Sequence, residues 1–152
     1  MLTVFFEKSY DPKAIPFSLE QVFAVRLTPT LKIGGKIDRI DKLPGNRLEI
    51  IDYKTGKRPK EKEIKENLQM TLYAMAATDP GIYNKKPEDL TLSFYFFDAQ
   101  EKVTATRSEE QLKTAKERLL ITARDIATSD FHPKVGPWCD FCDFRLICEA
   151  WQ

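Results

Sequence analysis

The sequence predicts an α/β or α+β fold with a mixed β-sheet. Two β-branched segments flank the turn residues Pro44-Gly45-Asn46, which is the pattern of an antiparallel hairpin. A helical pattern then separates this hairpin from another apolar strand, and such a crossover favours parallel pairing of the strands that it joins. A cysteine-rich loop follows at residues 131–152.

Composition bounds the class of protein. The chain has 152 residues, of which 42% are hydrophobic and 31% charged, so we expect one domain over residues 1–152 with a real core. No apolar run reaches the ~18 residues of a membrane span, and no signal peptide is visible. The net charge of +1 requires any nucleic-acid binding to use a local basic patch. Three clustered cysteines favour metal ligation in a reducing, cytoplasmic compartment.

The first half of the chain is predicted to form strands, with no helix before Gln21. Residues 8–17, which contain Pro12 and Pro16, are predicted to be a loop. Gly34-Gly35 suggests a bulge or a close backbone approach within its strand. The predicted strands cover residues 2–6, 21–27, 31–43 and 47–54.

The second half alternates helices and strands. Apolar residues at helical spacing predict a helix over about residues 60–78, with Leu68, Leu72 and Met75 buried. Ser108 and Gln111 form a capping box that opens a helix to about residue 127. An apolar strand at residues 90–98 and an edge strand at residues 102–107 lie between these helices.

The strand that ends at Lys54 carries the first candidate site. Asp52 and Lys54 share one face of this strand because side chains alternate with period two. The hairpin brings Asp38 and Asp41 alongside, and their opposite parity allows only one of them to face Asp52. Two carboxylates on neighbouring strands can bind one Mg²⁺, which polarises a phosphate and lowers the pKa of a bound water. Lys54 can orient that water, help to deprotonate it, or neutralise the charge of the transition state.

Two further sets of residues are candidates for binding. Gln69 and Tyr73 share one helix face at i, i+4 spacing and could bond a phosphate or a water, although a boundary polar pair is the ordinary alternative. Lys57, Arg58 and Lys60 follow the strand and, if the chain acts on nucleic acid, would contact its phosphate backbone. The alternative for these cations, a solvated helix N-terminus, is disfavoured by the helix dipole.

Three motifs taken together resemble a known family. They are Gly35-x-Ile37-Asp38-Arg39-Ile40-Asp41, Ile51-Asp52-Tyr53-Lys54-Thr55-Gly56 and Gln69-x-x-x-Tyr73. This order is similar to the RecB-type branch of the PD-(D/E)XK nuclease superfamily, in particular to the nuclease domains of AddB- and RecB-like helicase-nucleases and to the related nucleases of CRISPR adaptation. The resemblance implies a restriction-endonuclease-like sheet flanked by helices.

The resemblance also assigns roles to residues. It implies metal ligation by Asp38, by Asp52 and by the backbone carbonyl of Tyr53. Lys54 would be the catalytic lysine, with Gln69 and Tyr73 in support. The implied activity is that of a Mg²⁺- or Mn²⁺-dependent deoxyribonuclease, an exonuclease that acts on linear or single-stranded DNA ends. The implied setting is DNA repair and recombination near a bacterial or archaeal nucleoid, with a helicase partner or parent polypeptide.

One departure from the family concerns the upstream ligand. Family members usually carry a His or Glu on an upstream helix, whereas the only His here is His132. Glu20 is the nearest upstream acid, and it is either a further ligand or an ordinary surface residue. The chain is accordingly expected to be a fragment truncated at its N-terminus or a minimal form. The alternative function is a catalytically incomplete DNA-binding or structural module with the same fold.

The cysteines carry a second resemblance. Cys139-x-x-Cys142-x5-Cys148 is similar to the C-terminal triplet of AddB-like nucleases, which implies a structural [4Fe–4S] cluster. The fourth, upstream cysteine of that family is absent here. Zn²⁺ bound by the three thiolates with His132 or a water is one alternative. Plain buried thiols in a segment rich in Phe and Trp are the other.

Overall fold

The computed structural model describes residues 2–10 and 15–151, which form a mixed sheet flanked by helices. Strand order follows chain order, and the pairings are antiparallel except between the third and fourth strands, which are parallel. This confirms the predicted α/β (α+β) class with a mixed sheet. The elements are α1 (Leu2–Lys8), β1 (Ser18–Arg26), β2 (Lys32–Leu43), β3 (Arg47–Lys54), α2 (Glu61–Lys65), α3 (Leu68–Thr78), β4 (Leu90–Phe96), β5 (Glu101–Ala105) and α4 (Glu109–Thr128).

The β2–β3 hairpin and the crossover that follows it set the sheet topology. Gly45 and Asn46 both have positive φ, of 74° and 63°, which is the backbone geometry that tight hairpin turns require. The chain then passes through α2 and α3 and returns as β4, parallel to β3 from Leu48↔Leu90 to Lys54↔Phe96. Both features were predicted from the turn residues and from the length of the helical segment.

The core lies between the sheet and α3. Ile37, Ile40, Ile50 and Leu92 are completely or almost completely buried on the sheet side. On the helix side the buried residues are Met70, Tyr73, Ala74, Met75, Ala76 and Ala77. The run of alanines lets the helix backbone come close to the strands, so that Tyr73 reaches the sheet with its hydroxyl group.

The helix predicted over residues 60–78 is in fact two helices. Glu66 ends α2, and Asn67 takes an extended conformation and caps α3, where its side chain accepts a hydrogen bond from Met70 N. Asn is one of the preferred N-cap residues, because its side-chain oxygen satisfies a free N–H of the first turn. Leu68, which was expected to be buried, is 43% exposed. Because of this break, the apolar residues of α2 and α3 do not form one continuous face. Helical spacing counted from the buried Ile64 through the break therefore places Leu68 on the buried face, where it does not lie.

The N-terminal prediction is also wrong. Residues 2–6 were expected to form a strand, and no helix was expected before Gln21, but Leu2–Lys8 is helical. Phe5 packs its ring against those of Tyr53, Tyr95 and Phe97, at centroid distances of 6.3, 5.0 and 5.3 Å. Tertiary packing of this one side chain therefore outweighs the β propensity of the segment. Lys8 of the predicted 8–17 loop ends this helix, and residues 11–14 of that loop, including Pro12, lie outside the described residues.

Gly34 and Gly35 mark a close backbone approach, as predicted. A Cβ atom on Gly34 would lie 2.8 Å from the carbonyl oxygen of Phe23 on β1. A Cβ atom on Gly35 would lie 3.0 Å from the ring of Phe23. The paired strands β1 and β2 can pack Phe23 in this way only because both positions lack a side chain.

The chain divides into two compact units, Met1–Leu120 and Ile121–Gln152. The first contains the whole sheet. The second contains the end of α4 and three short 3₁₀ turns, Pro137–Phe141, Arg145–Ile147 and Glu149–Trp151. Within the described ranges, no helix combines the length and the apolar character needed to cross a membrane.

Replacing Gly34 tests the β1–β2 packing. We expect Gly34→Ala to lower the free energy of unfolding by about 1–3 kcal/mol, because the new methyl group meets a backbone oxygen that cannot rotate away. Urea denaturation provides the measurement. Gly81→Ala is the matched control, since its Cβ would meet only a side-chain oxygen of Asp79, at 3.2 Å. Equal losses in the two variants would contradict the packing argument.

Candidate active site

Asp38 and Asp52 lie next to each other where two strands separate. The β2–β3 ladder ends at the pair Arg39↔Ile51, and Asp38 and Asp52 are the next residues on each strand. Asp38 Oδ2 accepts a hydrogen bond of 2.9 Å from the backbone N–H of Tyr53. The Asp38 carboxylate thus accepts a hydrogen bond that a backbone carbonyl of β2 would accept if the ladder continued. This bond holds the Asp38 side chain beside Asp52.

Register decides which of the two aspartates of β2 faces Asp52. Asp38 lies just beyond the last pair of the ladder, and its charge acts on Tyr73, the residue that donates to Asp52, so Asp38 lies on the side of the sheet that Asp52 occupies. Asp41 lies opposite Glu49 on the other face, where both of its oxygens accept from Arg39 Nε at 2.9 and 3.0 Å. The alternative that parity left open is resolved in favour of Asp38.

Asp52, Lys54, Gln69 and Tyr73 form a closed ring of polar contacts, called here the Asp52 ring. Tyr73 donates its hydroxyl hydrogen to Asp52 Oδ1 at 2.7 Å and accepts from Gln69 Nε2 at 2.8 Å. Lys54 Nζ donates to Gln69 Oε1 at 2.7 Å and lies 2.6 Å from Asp52 Oδ2. The sequence predicted each of the four residues as a site candidate, and the structure brings all four together across β3 and α3.

Burial removes water from two members of the Asp52 ring. Asp52 is 2% exposed and Tyr73 is 3% exposed. Desolvation, and then the hydrogen bond to the Asp52 carboxylate, raise the pKa of Tyr73 well above its ordinary value. Tyr73 is therefore a neutral hydroxyl at physiological pH and acts as a hydrogen-bond donor to Asp52 rather than as a base.

The second oxygen of Asp52 is the atom best suited to a cation. Oδ2 is buried and makes no hydrogen bond in the described chain, because its contact with Lys54 is an ion pair without hydrogen-bond geometry. A buried anionic oxygen needs a positive charge beside it, and here the Lys54 ammonium group lies 2.6 Å away. Two carboxylates, Asp38 and Asp52, are thus available to a divalent cation, beside the Tyr53 position that the resemblance assigns as a carbonyl ligand. The described residues contain no group of three or more His, Cys, Asp or Glu side chains placed to bind a metal.

Glu20 lies opposite Asp38 in the sheet, but its carboxylate binds Lys36 and does not join the Asp52 ring. The pairs Leu19↔Arg39 and Gln21↔Ile37 place Glu20 opposite Asp38. Its backbone has a positive φ of 51°, which is uncommon for a residue with a Cβ atom. The Glu20 carboxylate forms an exposed ion pair with Lys36, and this contact raises the pKa of Lys36.

Three neighbours of the site carried no signal in the sequence. The backbone carbonyl of Lys36 lies 3.1 Å from the Tyr73 hydroxyl, as a second acceptor for it. The ring of Phe94, which is paired with Asp52 on β4, has its centroid 5.2 Å from Lys54 Nζ. Asp98 accepts a 2.8 Å hydrogen bond from Gly56 N, which fixes the turn after β3. Only knowledge of the β3–β4 register would have identified Phe94.

The predicted basic segment is exposed. Lys57, Arg58 and Lys60 are all accessible to solvent, and Arg58 forms an ion pair of 3.2 Å with Glu101. Lys60 is the N-cap residue of α2, whose first turn carries Glu61 and Glu63. These acids complement the helix dipole, so the local structure tolerates the cations that precede them.

The three cysteines lie in the second compact unit. Cys139, Cys142 and Cys148 are free thiols that line one small cavity of about 30 Å³, and none of them is fully buried, contrary to the buried-thiol alternative. His132, the alternative fourth ligand, forms an exposed contact of 2.9 Å with Asp130. The thiols as placed do not form a metal-binding group.

Comparison with known proteins identifies the family. The model of the PD-(D/E)XK nuclease superfamily matches residues 1–149. The chain therefore belongs to the PD-(D/E)XK nuclease superfamily and is a nuclease-type domain. This confirms the superfamily that the three motifs indicated.

Solved structures support the same fold. In all, 22 chains of solved structures match, among them the protein of "Crystal structure of SSO0001". That protein is 17% identical with a TM-score of 0.52, and the match covers 99% of this chain and 66% of the other. The restriction-endonuclease-like architecture is thus confirmed, and the chain spans less than two thirds of that protein. Comparison with curated proteins gave no match.

Removing the Tyr73 hydroxyl tests the Asp52 ring. We expect Tyr73→Phe to lower the free energy of unfolding at neutral pH by about 1–3 kcal/mol, because Oδ1 of a buried carboxylate loses its donor.

The pH dependence of stability provides a second test. Because the pKa of Tyr73 is raised only in the folded chain, the unfolded chain loses this proton at a lower pH. The wild-type stability therefore falls as pH rises above the ordinary tyrosine value of 10.0, by up to about 1.4 kcal/mol per pH unit from this group.

Urea titrations between neutral and alkaline pH provide the measurement. Tyr73→Phe should lack this part of the alkaline loss, whereas Tyr10→Phe, which changes a tyrosine that is 48% exposed, should retain it. An alkaline loss of the same size in wild type and Tyr73→Phe would show that the hydroxyl is not held by Asp52.

Proposed function

We propose that the chain is a Mg²⁺- or Mn²⁺-dependent deoxyribonuclease domain that hydrolyses DNA phosphodiester bonds. One observation carries the proposal: the buried Asp52 carboxylate, with Oδ2 free of hydrogen bonds, lies beside Asp38 and within 2.6 Å of the Lys54 ammonium group. A nuclease needs anionic oxygens for a cation and a positive group near the scissile phosphate, and this position offers both. Membership of the superfamily supports the same reaction.

The residues that would hold the cation are Asp38, Asp52 and the backbone carbonyl of Tyr53. A divalent cation held there supplies Lewis-acid activation of the phosphate and of a water molecule. Tyr73 keeps Asp52 in place through the 2.7 Å hydrogen bond, and Tyr53 N does the same for Asp38 at 2.9 Å. Both carboxylates are thereby fixed before substrate arrives, so little reorganisation is needed during the reaction.

Lys54 is placed to act on the substrate side. Gln69 accepts one of its N–H donors, which orients the ammonium group, and the side chain is partly exposed rather than enclosed. An ammonium group in this position can neutralise the charge that develops on the phosphate or orient the attacking water. Gln69 and Tyr73 then act as positioning residues, because their contacts are to Lys54 and Asp52.

The proposal extends to the substrate and its setting. Lys57, Arg58 and Lys60 are exposed directly after β3, so they can contact the DNA backbone next to the Asp52 ring. By its motifs the domain is of the RecB/AddB type, an exonuclease acting on linear or single-stranded ends in DNA repair and recombination. It would work with a helicase partner or as part of a longer polypeptide in the cytoplasm. Residues 131–152 would be a cysteine-rich tail of the single nuclease domain.

One observation favours a second candidate, a DNA-binding module that does not cleave. In the described part of the chain the carboxylates of the site number two, and Glu20 pairs with Lys36 instead of joining them. A site with fewer anionic ligands holds a divalent cation more weakly. Binding without cleavage would then be the activity of the isolated chain.

A nuclease assay separates the two candidates. The intact chain is incubated with labelled linear duplex and single-stranded DNA in the presence of Mg²⁺ or Mn²⁺. We expect metal-dependent degradation that falls by roughly a hundredfold or more in Asp38→Asn, Asp52→Asn and Lys54→Ala, because each removes a ligand or the cation of the reaction.

Asp41→Asn is the matched control for these variants. Asp41 lies three residues from Asp38 on the same strand but faces the other side of the sheet and binds Arg39. It should therefore retain activity. DNA binding without degradation by the wild-type chain would favour the binding module, and equal loss in Asp41→Asn would contradict the assignment of Asp38.

Metal analysis tests whether the three cysteines bind the cluster that the sequence resemblance implies, since the thiols as placed form no metal-binding group. If Cys139, Cys142 and Cys148 bind a [4Fe–4S] cluster, anaerobically purified chain should contain iron and absorb visible light. Zinc without visible absorption would instead indicate a zinc site. Cys142→Ser should lower the metal content. None of the three Cys→Ser substitutions should disturb the Asp52 ring. Metal-free protein with three titratable thiols would exclude both metals.

A further inference from the structure

A second polar cavity lies away from the Asp52 ring, at the junction of β5 and α4. Its volume is about 520 Å³, and it is called here the Arg107 cleft. The cleft reaches Thr91, three residues before Phe94 on β4, and Phe94 is the residue paired with Asp52. Three residues along a strand correspond to about 10 Å, so the cleft is distinct from the site above. Its polar lining residues are Lys65, Thr91, Thr104, Thr106, Arg107 and Gln111.

Arg107 is the unusual residue of this cleft. It is 5% exposed, although arginine is almost never buried without a carboxylate partner. Its bonds go to Thr71 Oγ1 at 2.9 Å, to the Thr106 carbonyl at 2.8 Å and to the Asn67 carbonyl at 3.1 Å. All three acceptors are neutral. Among the described residues Arg107 forms no ion pair, so its charge is not balanced by an anion.

The guanidinium also has donors to spare. It carries five N–H groups, and the three bonds above use three of them. The bonds hold the side chain rigidly against the start of α3, so the remaining N–H groups have fixed directions. Desolvation lowers the pKa of Arg107, which is the expected cost of burying this cation without a counter-charge.

The rest of the lining has the matching chemistry. None of the residues that line the cleft is acidic, and two of them, Lys65 and Arg107, are cationic. The threonine hydroxyls and the Gln111 side chain add neutral hydrogen-bonding groups. A guanidinium held by three bonds, with two N–H groups left over, lies here beside the exposed Lys65 ammonium group and several hydroxyl groups, and such a set can bind a tetrahedral oxyanion.

We propose that the Arg107 cleft is a binding site for a phosphate group. The group would belong either to a DNA backbone outside the Asp52 ring or to a small phosphorylated molecule, and both present the same oxygens to Arg107. The proposal goes beyond the nuclease function and does not depend on it, because no residue of the cleft belongs to the Asp52 ring. A purely structural role for Arg107 accounts for the three neutral bonds but leaves the charge and the free donors unexplained.

Titration of the intact chain with inorganic phosphate tests the proposal. Backbone amide shifts are followed by NMR at constant ionic strength, with chloride as the reference anion. We expect saturable shifts centred on Thr106 and Arg107. Arg107→Lys should weaken binding by roughly tenfold, because a lysine cannot supply the fork of N–H donors. Lys65→Gln should weaken it by about threefold, as expected for one exposed charge.

Lys62→Gln is the matched control. Lys62 and Lys65 lie on the same short helix, and each pairs with a glutamate four residues away, but Lys62 does not line the cleft. Its phosphate affinity should equal that of wild type. Because Arg107→Lys also changes the three bonds that hold this side chain in the fold, the decision rests on wild type and on the two exposed lysines. Shifts that chloride reproduces, or equal affinity in Lys65→Gln and Lys62→Gln, would overturn the proposal.

Competition experiments identify which kind of phosphate-containing molecule the cleft binds. A short single-stranded oligonucleotide, added with a chelator so that it is not degraded, is tested against bound phosphate, beside a deoxynucleoside monophosphate. Competition by the oligonucleotide supports a DNA backbone as the natural ligand. Competition by the mononucleotide alone supports a small phosphorylated ligand. The Asp52→Asn variant should bind phosphate in the cleft as wild type does, so a failed nuclease assay and a failed cleft proposal give different results.

Discussion

The burial of the Asp52 carboxylate is the constraint on which the rest of the site depends. A carboxylate that is 2% exposed has lost its water, and this costs several kcal/mol unless positive charge and hydrogen-bond donors replace it. Lys54 and Tyr73 supply part of that compensation from β3 and α3, and Gln69 links the two. Oδ2 still lacks a hydrogen bond. Among the described residues, the partner of this oxygen is the Lys54 ammonium group at 2.6 Å, and a divalent cation would bind beside or in place of it.

The topology of the sheet explains how these groups come to one point. The hairpin ends its ladder at Arg39↔Ile51, which leaves Asp38 and Asp52 at the place where the strands part. The crossover that makes β4 parallel to β3 also lays α3 over the same strands. The small residues of α3 are buried against the sheet, and from this helix Tyr73 donates its hydroxyl hydrogen to Asp52. Sheet register and helix packing therefore determine the chemistry together.

Sequence reasoning reached the parts of this arrangement that follow from local rules. Strand periodicity put Asp52 and Lys54 on one face, and helical spacing put Gln69 with Tyr73. The choice between Asp38 and Asp41 needed the register, which no parity argument supplies across a possible bulge. The α1 helix and the break at Asn67 were missed because tertiary packing and a single cap decided them. Arg107 was missed because an arginine after an edge strand gives no sign of burial.

The most direct test is a binding measurement on the intact chain. Titration with Mn²⁺, followed by electron paramagnetic resonance, reports the cation site without requiring turnover. The account predicts saturable Mn²⁺ binding that is weakened by roughly tenfold or more in both Asp38→Asn and Asp52→Asn and is unchanged in Asp41→Asn. Mn²⁺ affinity that is the same in wild type and Asp52→Asn would contradict the claim that this buried carboxylate is a metal ligand.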